Sequence, residues 1–310
     1  MNSQSTNSIL MIRPASFQLN KQTAINNFYQ KEISTYTTTE IQNKSVQQFD
    51  AFAERLKKAG IEVHMLEDSL LPKTPDALFP NNWISFHNKN RAALYPMYAP
   101  NRRQERRQDV FEELQKSGYS YKVAFDESQQ EENGRFLEGT GSLVLDRQNK
   151  IAYAALSPRT NKDLVDLFCS RFEYEALCFH AYQTVKNERK QIYHTNVMMS
   201  IGSTLAIICL DCIDDVEEKK MVREKIQDSG KELILISEKQ VEQFAGNMLE
   251  LASKSKTEKN YLVMSTQAYE SLNTQQLNKI NVHLQIIHSP LDLIETLGGG
   301  SARCMIAELF

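Results

Sequence analysis

What most constrains this chain is an order of elements that recurs without any recurrence of sequence. Apolar periodicity and cap residues place a helix about every 50 to 60 residues, after paired strand-like segments and before a further strand. Residues 9–12 read as a strand, 41–59 as an amphipathic helix stopped by Gly60, and 61–66 as the next strand. Segments 77–87 and 91–95 precede a helix over 102–116, ended by Gly118, and a strand over 121–125. Strands 141–145 and 151–155 form a hairpin about the turn 146–149, ahead of a helix over 161–172 and a strand over 175–179. Strands 197–200 and 205–210 precede a helix over 214–227 and a strand over 233–236. The last cycle has strands near 248–251 and 261–264, a helix over 266–280 and a strand over 283–288. Residues 301–308 have no helix of their own and are expected to pair with the N-terminal strand, completing a ring.

Two architectures compete for this pattern. One is a ring of ββαβ modules; the other is a doubly wound α/β sheet. Paired strands between helices argue against a purely parallel sheet. The 310 residues read as one α/β domain spanning 1–310, with no low-complexity linker and with an exposed hairpin loop over 252–260.

Composition excludes several roles. A net charge of −3 gives no basic field for nucleic acid. Arg102, Arg103, Arg106 and Arg107 interleave with acids at helical spacing, so they read as a solvated helix face. No apolar run nears the ~18 residues of a membrane span, and MNSQSTNS has no signal core behind it. The expectation is a cytoplasmic protein with a small-molecule partner and neither nucleic acid nor membrane; a homo-oligomer is left open. Five cysteines, an odd number, suggest reduced thiols. Cys209 and Cys212 form a lone CxxC in an apolar run, which reads as two buried thiols because zinc would want a second ligand pair.

The segment LGGGSARCMIAE, 297–308, is the most unusual. Glycines permit tight turns, so Cys304 just beyond them is either a cleft-facing thiol or a small buried hydrophobe. Arg303 beside it would favour the thiolate. A cysteine nucleophile needs a base and a group that orients the base. Of the six histidines, His194 in IYHTNVMM stands out by its polar neighbours Thr195 and Asn196. Glu138, between Leu137 and two nearby glycines, is either costly to bury or a turn residue facing water. Asn81 and Asn82 beside Pro80 suit a turn. In LSPRTN, Thr160 or Asn161 would cap a helix and leave Arg159 free to enter a cleft.

Taken together and in this order, FPNN, LEGTG, LSPRTN, YHTN and GGGSARC resemble the guanidine-modifying pentein superfamily, from Met11 to the C-terminus. Arginine deiminase, dimethylarginine dimethylaminohydrolase and the arginine:glycine amidinotransferases belong there. The resemblance implies a five-bladed α/β propeller of ββαβ modules about a central cleft. It implies Cys304 as nucleophile, His194 as general acid/base and Glu138 as the acid completing the set. Arg159 matches a position that binds the substrate α-carboxylate. No metal or organic cofactor is implied.

The departures from the pattern carry information. Arginine deiminases put aspartates where this chain has Asn82 and Asn196, and often an acid where Thr140 and Gly141 follow Gly139. A guanidinium offers only donors and a charge, so it favours carboxylates. A ureido group is neutral and adds a carbonyl acceptor, which an amide suits; a carboxylate there would lose its counter-charge. The expected reaction is therefore hydrolysis of citrulline to ornithine, ammonia and carbon dioxide through a covalent cysteine intermediate. The FPNNW and GTG forms are similar to the citrulline-utilisation hydrolase branch. Arginine deiminase, methylarginine hydrolase and amidinotransferase chemistry are the alternatives within the class. A non-catalytic binding protein for arginine-like metabolites is the alternative outside it. Asn82→Asp combined with Asn196→Asp is expected to shift preference toward guanidinium substrates.

Overall fold

The computed structural model describes residues 3–255 and 259–310. Part of the expected loop 252–260 therefore lies outside the described residues, as do Met1 and Asn2.

The chain is a mixed α/β fold, and among the described residues five three-stranded sheets share one pattern. In each, the first strand pairs antiparallel with the second and the second pairs parallel with the third. Helices connect second strand to third. Four sheets begin at Ile84–His87, Val144–Asp146, Met199–Ile201 and Leu249–Leu251. The fifth joins the chain ends. Ala307–Glu308 runs antiparallel to Ser8–Arg13, with Ile9 opposite Glu308, and Ser8–Arg13 is parallel to Glu62–Glu67. The mixture of parallel and antiparallel pairings in each of these five sheets rules out the purely parallel alternative.

The helices follow their local signals. Helix Thr38–Lys58 starts at a capping box between Thr37 and Glu40, and buries Phe49, Phe52 and Leu56 on one face. Each such fully buried side chain contributes about 1.5–3 kcal/mol. Asn161 caps helix Lys162–Phe172, accepting from the amides of Asp163 and Leu164.

Several elements differ from expectation. The helix expected over 102–116 is a 3₁₀ turn, Pro100–Glu105, followed by helix Asp109–Lys116. Arg106 is extended between them, because Arg102 is drawn inward, away from the solvated face assigned to it. The helix over 266–280 is two, Thr266–Ser271 and Thr274–His283, since Asn273 starts a new capping box with Gln276. His283 consequently ends a helix rather than opening a strand. The strand over 77–87 is the turn Pro80–Asn82 and then Ile84–His87. The strand start at Gly141 is a single helical turn, Gly139–Ser142. The hairpin Tyr182–Val185 with Glu188–Gln191 was not anticipated; Lys186 and Asn187 both take positive φ at its tip, and neither is glycine.

Candidate active site

The first strand of each sheet is preceded by a short turn, and the five turns meet. They are Pro80–Asn82, Gly139–Ser142, Thr195–Val197, the Gly246-Asn247 corner and Ala302–Met305. Two glycines allow the close approach. Gly139 has φ +48° and a Cβ there would lie 2.2 Å from the Asn81 carbonyl. A Cβ at Gly141 would lie 2.5 Å from Asn82 Nδ2 and 2.8 Å from His194 Nδ1.

Cys304 is 4% exposed and lines a narrow cavity, which decides between the cleft-facing and the buried reading: it is nearly buried, yet faces a cavity. Its sulfur receives N–H donors from Asn247 Nδ2 at 3.2 Å and Asn196 Nδ2 at 3.5 Å. Such bonds strengthen as negative charge develops on sulfur. Arg303 does not serve this purpose by hydrogen bonding: its guanidinium is bonded to Glu308 at 2.9 Å and to the Ile306 carbonyl. Asn247 further accepts from the Arg303 amide and donates to the Asn196 carbonyl, tying two turns together.

His194 and Glu138 form a buried pair, Nε2 to Oε2 at 2.7 Å. Burial alone would raise the Glu138 carboxyl. Arg159, the bond to His194 and the more distant Arg102 outweigh it and hold Glu138 well below the usual carboxylate range. His194 is pushed down to about 4, by burial first and by Arg159 and Arg102 in addition, against the pull of Glu138. At neutral pH the pair is thus a carboxylate and a neutral imidazole. An ionised carboxylate accepts only, so Nε2 carries the proton. Both Glu138 oxygens are engaged: Oε1 accepts from the Tyr98 amide at 2.9 Å, and Oε2 also faces Arg159 at 3.4 Å. Glu138 therefore sets the imidazole rather than facing the cavity, and it is not the water-facing turn residue that was its other reading.

Asn82 is fixed by Arg102, whose Nη1 donates to Asn82 Oδ1 at 2.7 Å. A guanidinium has no acceptor, so this bond settles which amide atom is oxygen. Asn82 Nδ2 is buried without a partner, and Asn82 lines the cavity. Arg102 itself is buried in a two-pronged pair with Glu105, both contacts 2.9 Å, and stands 3.8 Å from Asp76. Asp76 Oδ2 accepts from Asn20 and Thr23, while Oδ1 is buried without a partner.

Arg159 is 1% exposed and lies against the Tyr193 ring at 4.8 Å. Its donors go to Asn26 Oδ1, to the Thr23 carbonyl at 2.9 Å and to Glu138. Residues 20–31 cover this side of the site. Asn27 bonds the Gly298 and Gly299 carbonyls, Gln30 that of Leu297, and the Lys31 amide that of Thr296. The free volume enclosed is about 10 Å³, room for roughly one water.

The structure thus gathers Cys304, His194, Glu138, Asn82, Asn196 and Arg159 into one place. Sequence reasoning missed Asp76 and Asn247 and assigned Arg102 no role in the site. Arg102 was hidden by a charge pattern that reads as a solvated face, although Arg106 and Arg107 are only part-buried. Asn247 had a signal: like Asn82 and Asn196 it stands two or three residues before a first strand. Cys209 and Cys212 are buried and free, and among the described residues no group of three or more His, Cys, Asp or Glu is placed to hold a metal. Among the described residues, no helix is long and apolar enough to cross a membrane.

Comparison with known proteins comes from two directions. The model of a family described as N,N dimethylarginine dimethylhydrolase, eukaryotic, matches residues 13–310. No curated protein matches the chain. Among solved structures, the N-terminal domain of ArgZ is similar; this is an arginine dihydrolase of the ornithine–ammonia cycle in cyanobacteria, solved as a cysteine-to-serine mutant with substrate. Identity is 15%, the match covers 97% of this chain and 98% of that one, and the TM-score is 0.71. AgrE, as a cysteine-to-alanine mutant with L-arginine, is 17% identical over 97% of this chain and 40% of its own, with a TM-score of 0.72. A cysteine-to-serine mutant of DDAH from Pseudomonas aeruginosa, complexed with citrulline, is 14% identical over 98% and 99%, with a TM-score of 0.65. At these identities the structural likeness is one of fold.

Proposed function

This chain belongs to the N,N dimethylarginine dimethylhydrolase family, and from that premise we propose that it hydrolyses the terminal ureido C–N bond of citrulline. The observation that carries the reading is the free Nδ2 of Asn82. Arg102 occupies the acceptor side of that amide, so Asn82 itself offers the cavity only donors. Donors repel a guanidinium, which is itself all donor, and suit a ureido carbonyl. The substrate α-carboxylate takes the Arg159 donors now held by Asn26 and Thr23. Its ammonium meets the unpaired Oδ1 of Asp76.

The mechanism follows from the protonation states. Cys304 attacks the ureido carbon and its thiol proton passes to neutral His194. Glu138 stabilises the imidazolium so formed. His194 then protonates the departing ammonia, leaving an S-carbamoyl thioester. Water, deprotonated by His194, cleaves this thioester; the thiol is restored and an N-carbamate is released. The carbamate falls apart to ornithine and carbon dioxide.

We take the five sheets as blades of a five-bladed α/β propeller, with the Ala307–Glu308 pairing closing the ring. All five cysteines are free, which supports a reducing, cytoplasmic setting.

One observation favours a second reading. Three buried carboxylates, Asp76, Glu105 and Glu138, meet two buried guanidiniums, Arg102 and Arg159. That leaves one more carboxyl than guanidinium; burial raises Asp76 and pushes Glu105 up to about 8, and a cationic arginine or methylarginine would draw the excess acid into its ionised form. Ammonia release from citrulline and from arginine, measured side by side, decides between them. Faster turnover of arginine overturns the ureido reading, and turnover of neither with tight binding of both favours a non-catalytic binder.

A further inference from the structure

A larger cavity lies outside the catalytic one, with a free volume of about 310 Å³. It is bounded by residues 28–31, the tip of the hairpin at 183–186, residues 242–244 and helix Asp292–Gly298. Three of its lining side chains are over nine-tenths buried and carry polar atoms without partners: Tyr29 Oη, Gln183 Nε2 and Glu295 Oε2. An unmatched buried polar atom is destabilising, and three around one cavity are costly unless something occupies it.

We propose that this cavity is a second ligand site, which takes a small α-amino acid. Glu295 Oε2, in a side chain 1% exposed, is an acceptor deep in the wall and calls for a cationic donor such as an ammonium. Lys31 and Lys186 stand exposed at the cavity and suit a carboxylate. Gln183 Nε2 offers a further donor to that carboxylate, and Tyr29 Oη bonds either end. The partly buried side chain of Phe28 and the buried ring of Phe244 supply the apolar wall for a short aliphatic side chain. A volume of this order is at the small end of ligand pockets, right for a molecule of amino-acid size. Burial, against the hydroxyls of Ser265 and Ser301, pushes the Glu295 carboxyl up to about 7. An ammonium at Oε2 would bring it back to the ionised form. The site also shares a residue with the nucleophile turn, since Ser301 Oγ donates to Glu295 Oε1 at 2.6 Å and Cys304 N donates to the Ser301 carbonyl.

The test is calorimetric titration of the full chain with L-norvaline, 1-aminopentane and pentanoate. Norvaline bears both charged ends; the other two bear one each. The expected result is a norvaline binding event that survives Arg159→Met, which disables the catalytic cavity, but weakens tenfold or more in Glu295→Gln. The single-ended probes should lack that event. Should circular dichroism show the Glu295→Gln chain unfolded, Gln183→Leu carries the same test in its place. A norvaline event unaffected by the wall substitution, or none surviving Arg159→Met, overturns the proposal. Citrulline turnover is scored separately, so failure here leaves the catalytic reading untouched.

Discussion

The turns Pro80–Asn82 and Thr195–Val197 hold corresponding places in their sheets, and each carries an asparagine, yet the two amides are used in opposite senses. Asn82 spends its oxygen on Arg102 and keeps its N–H donors free. Asn196 spends an N–H on the Cys304 sulfur and keeps its oxygen free. The neighbour decides the use: a guanidinium demands an acceptor, a thiol that must carry negative charge demands a donor. On the proposed function, one asparagine reads the substrate and the other steadies the nucleophile.

The largest effect expected is from Cys304→Ala, which sets the floor for that division. Ammonia release should fall at least about 10³-fold, with no adduct seen by mass spectrometry. Retained labelling of Cys209 or Cys212 by a substrate analogue would break the assignment at its root. Asn196→Asp removes a donor from sulfur, so kcat should fall about 10²–10³-fold while the citrulline-to-arginine preference stays put. A shift in preference without loss of kcat would mean that Asn196, too, reads substrate.

The third effect is on stability. His194 sits at about 4 in the fold against about 6.5 unfolded, so the unfolded chain binds the extra proton first. Stability is therefore whole above pH 6.5 and lost as pH falls toward 4, by an amount on the order of 3 kcal/mol. His87, also buried and depressed, adds loss of the same sign. Urea melts of wild type and His194→Gln across that range should differ in slope; parallel curves would put the imidazole in water rather than against Glu138. The mildest effect is that of Asn82→Asp. The introduced carboxylate still accepts from Arg102 but withdraws the free donors, and preference should move toward arginine by about tenfold, or about 1.4 kcal/mol. The double change with Asn196 is then no cleaner than this single one, since its second half strikes the nucleophile.

Much of this arrangement was legible beforehand. Asn161 as a cap, Gly60 as a stop and the pairing of the last strand with the first all follow from local pattern. The three residues proposed as catalytic, Cys304, His194 and Glu138, were named through the order of their motifs. Arg102 was misread because a charge run at helical spacing has the same pattern whether it faces water or a buried acid. Asp76 and the cover formed by residues 20–31 left no periodic signal, since their bonds join segments far apart in the chain: Asn20 to Asp76, Asn26 to Arg159, Asn27 to Gly298.

By itself the sequence determined the repeating modules and the chemical types brought to the site, because periodicity and turn chemistry act over a few neighbours. Only the tertiary structure decided what each polar group has left to offer. Whether an amide presents oxygen or nitrogen, or a carboxylate binds a cavity or an imidazole, depends on partners from distant turns. Hydrogen-bonding capacity is finite, and the fold spends part of it before any substrate arrives.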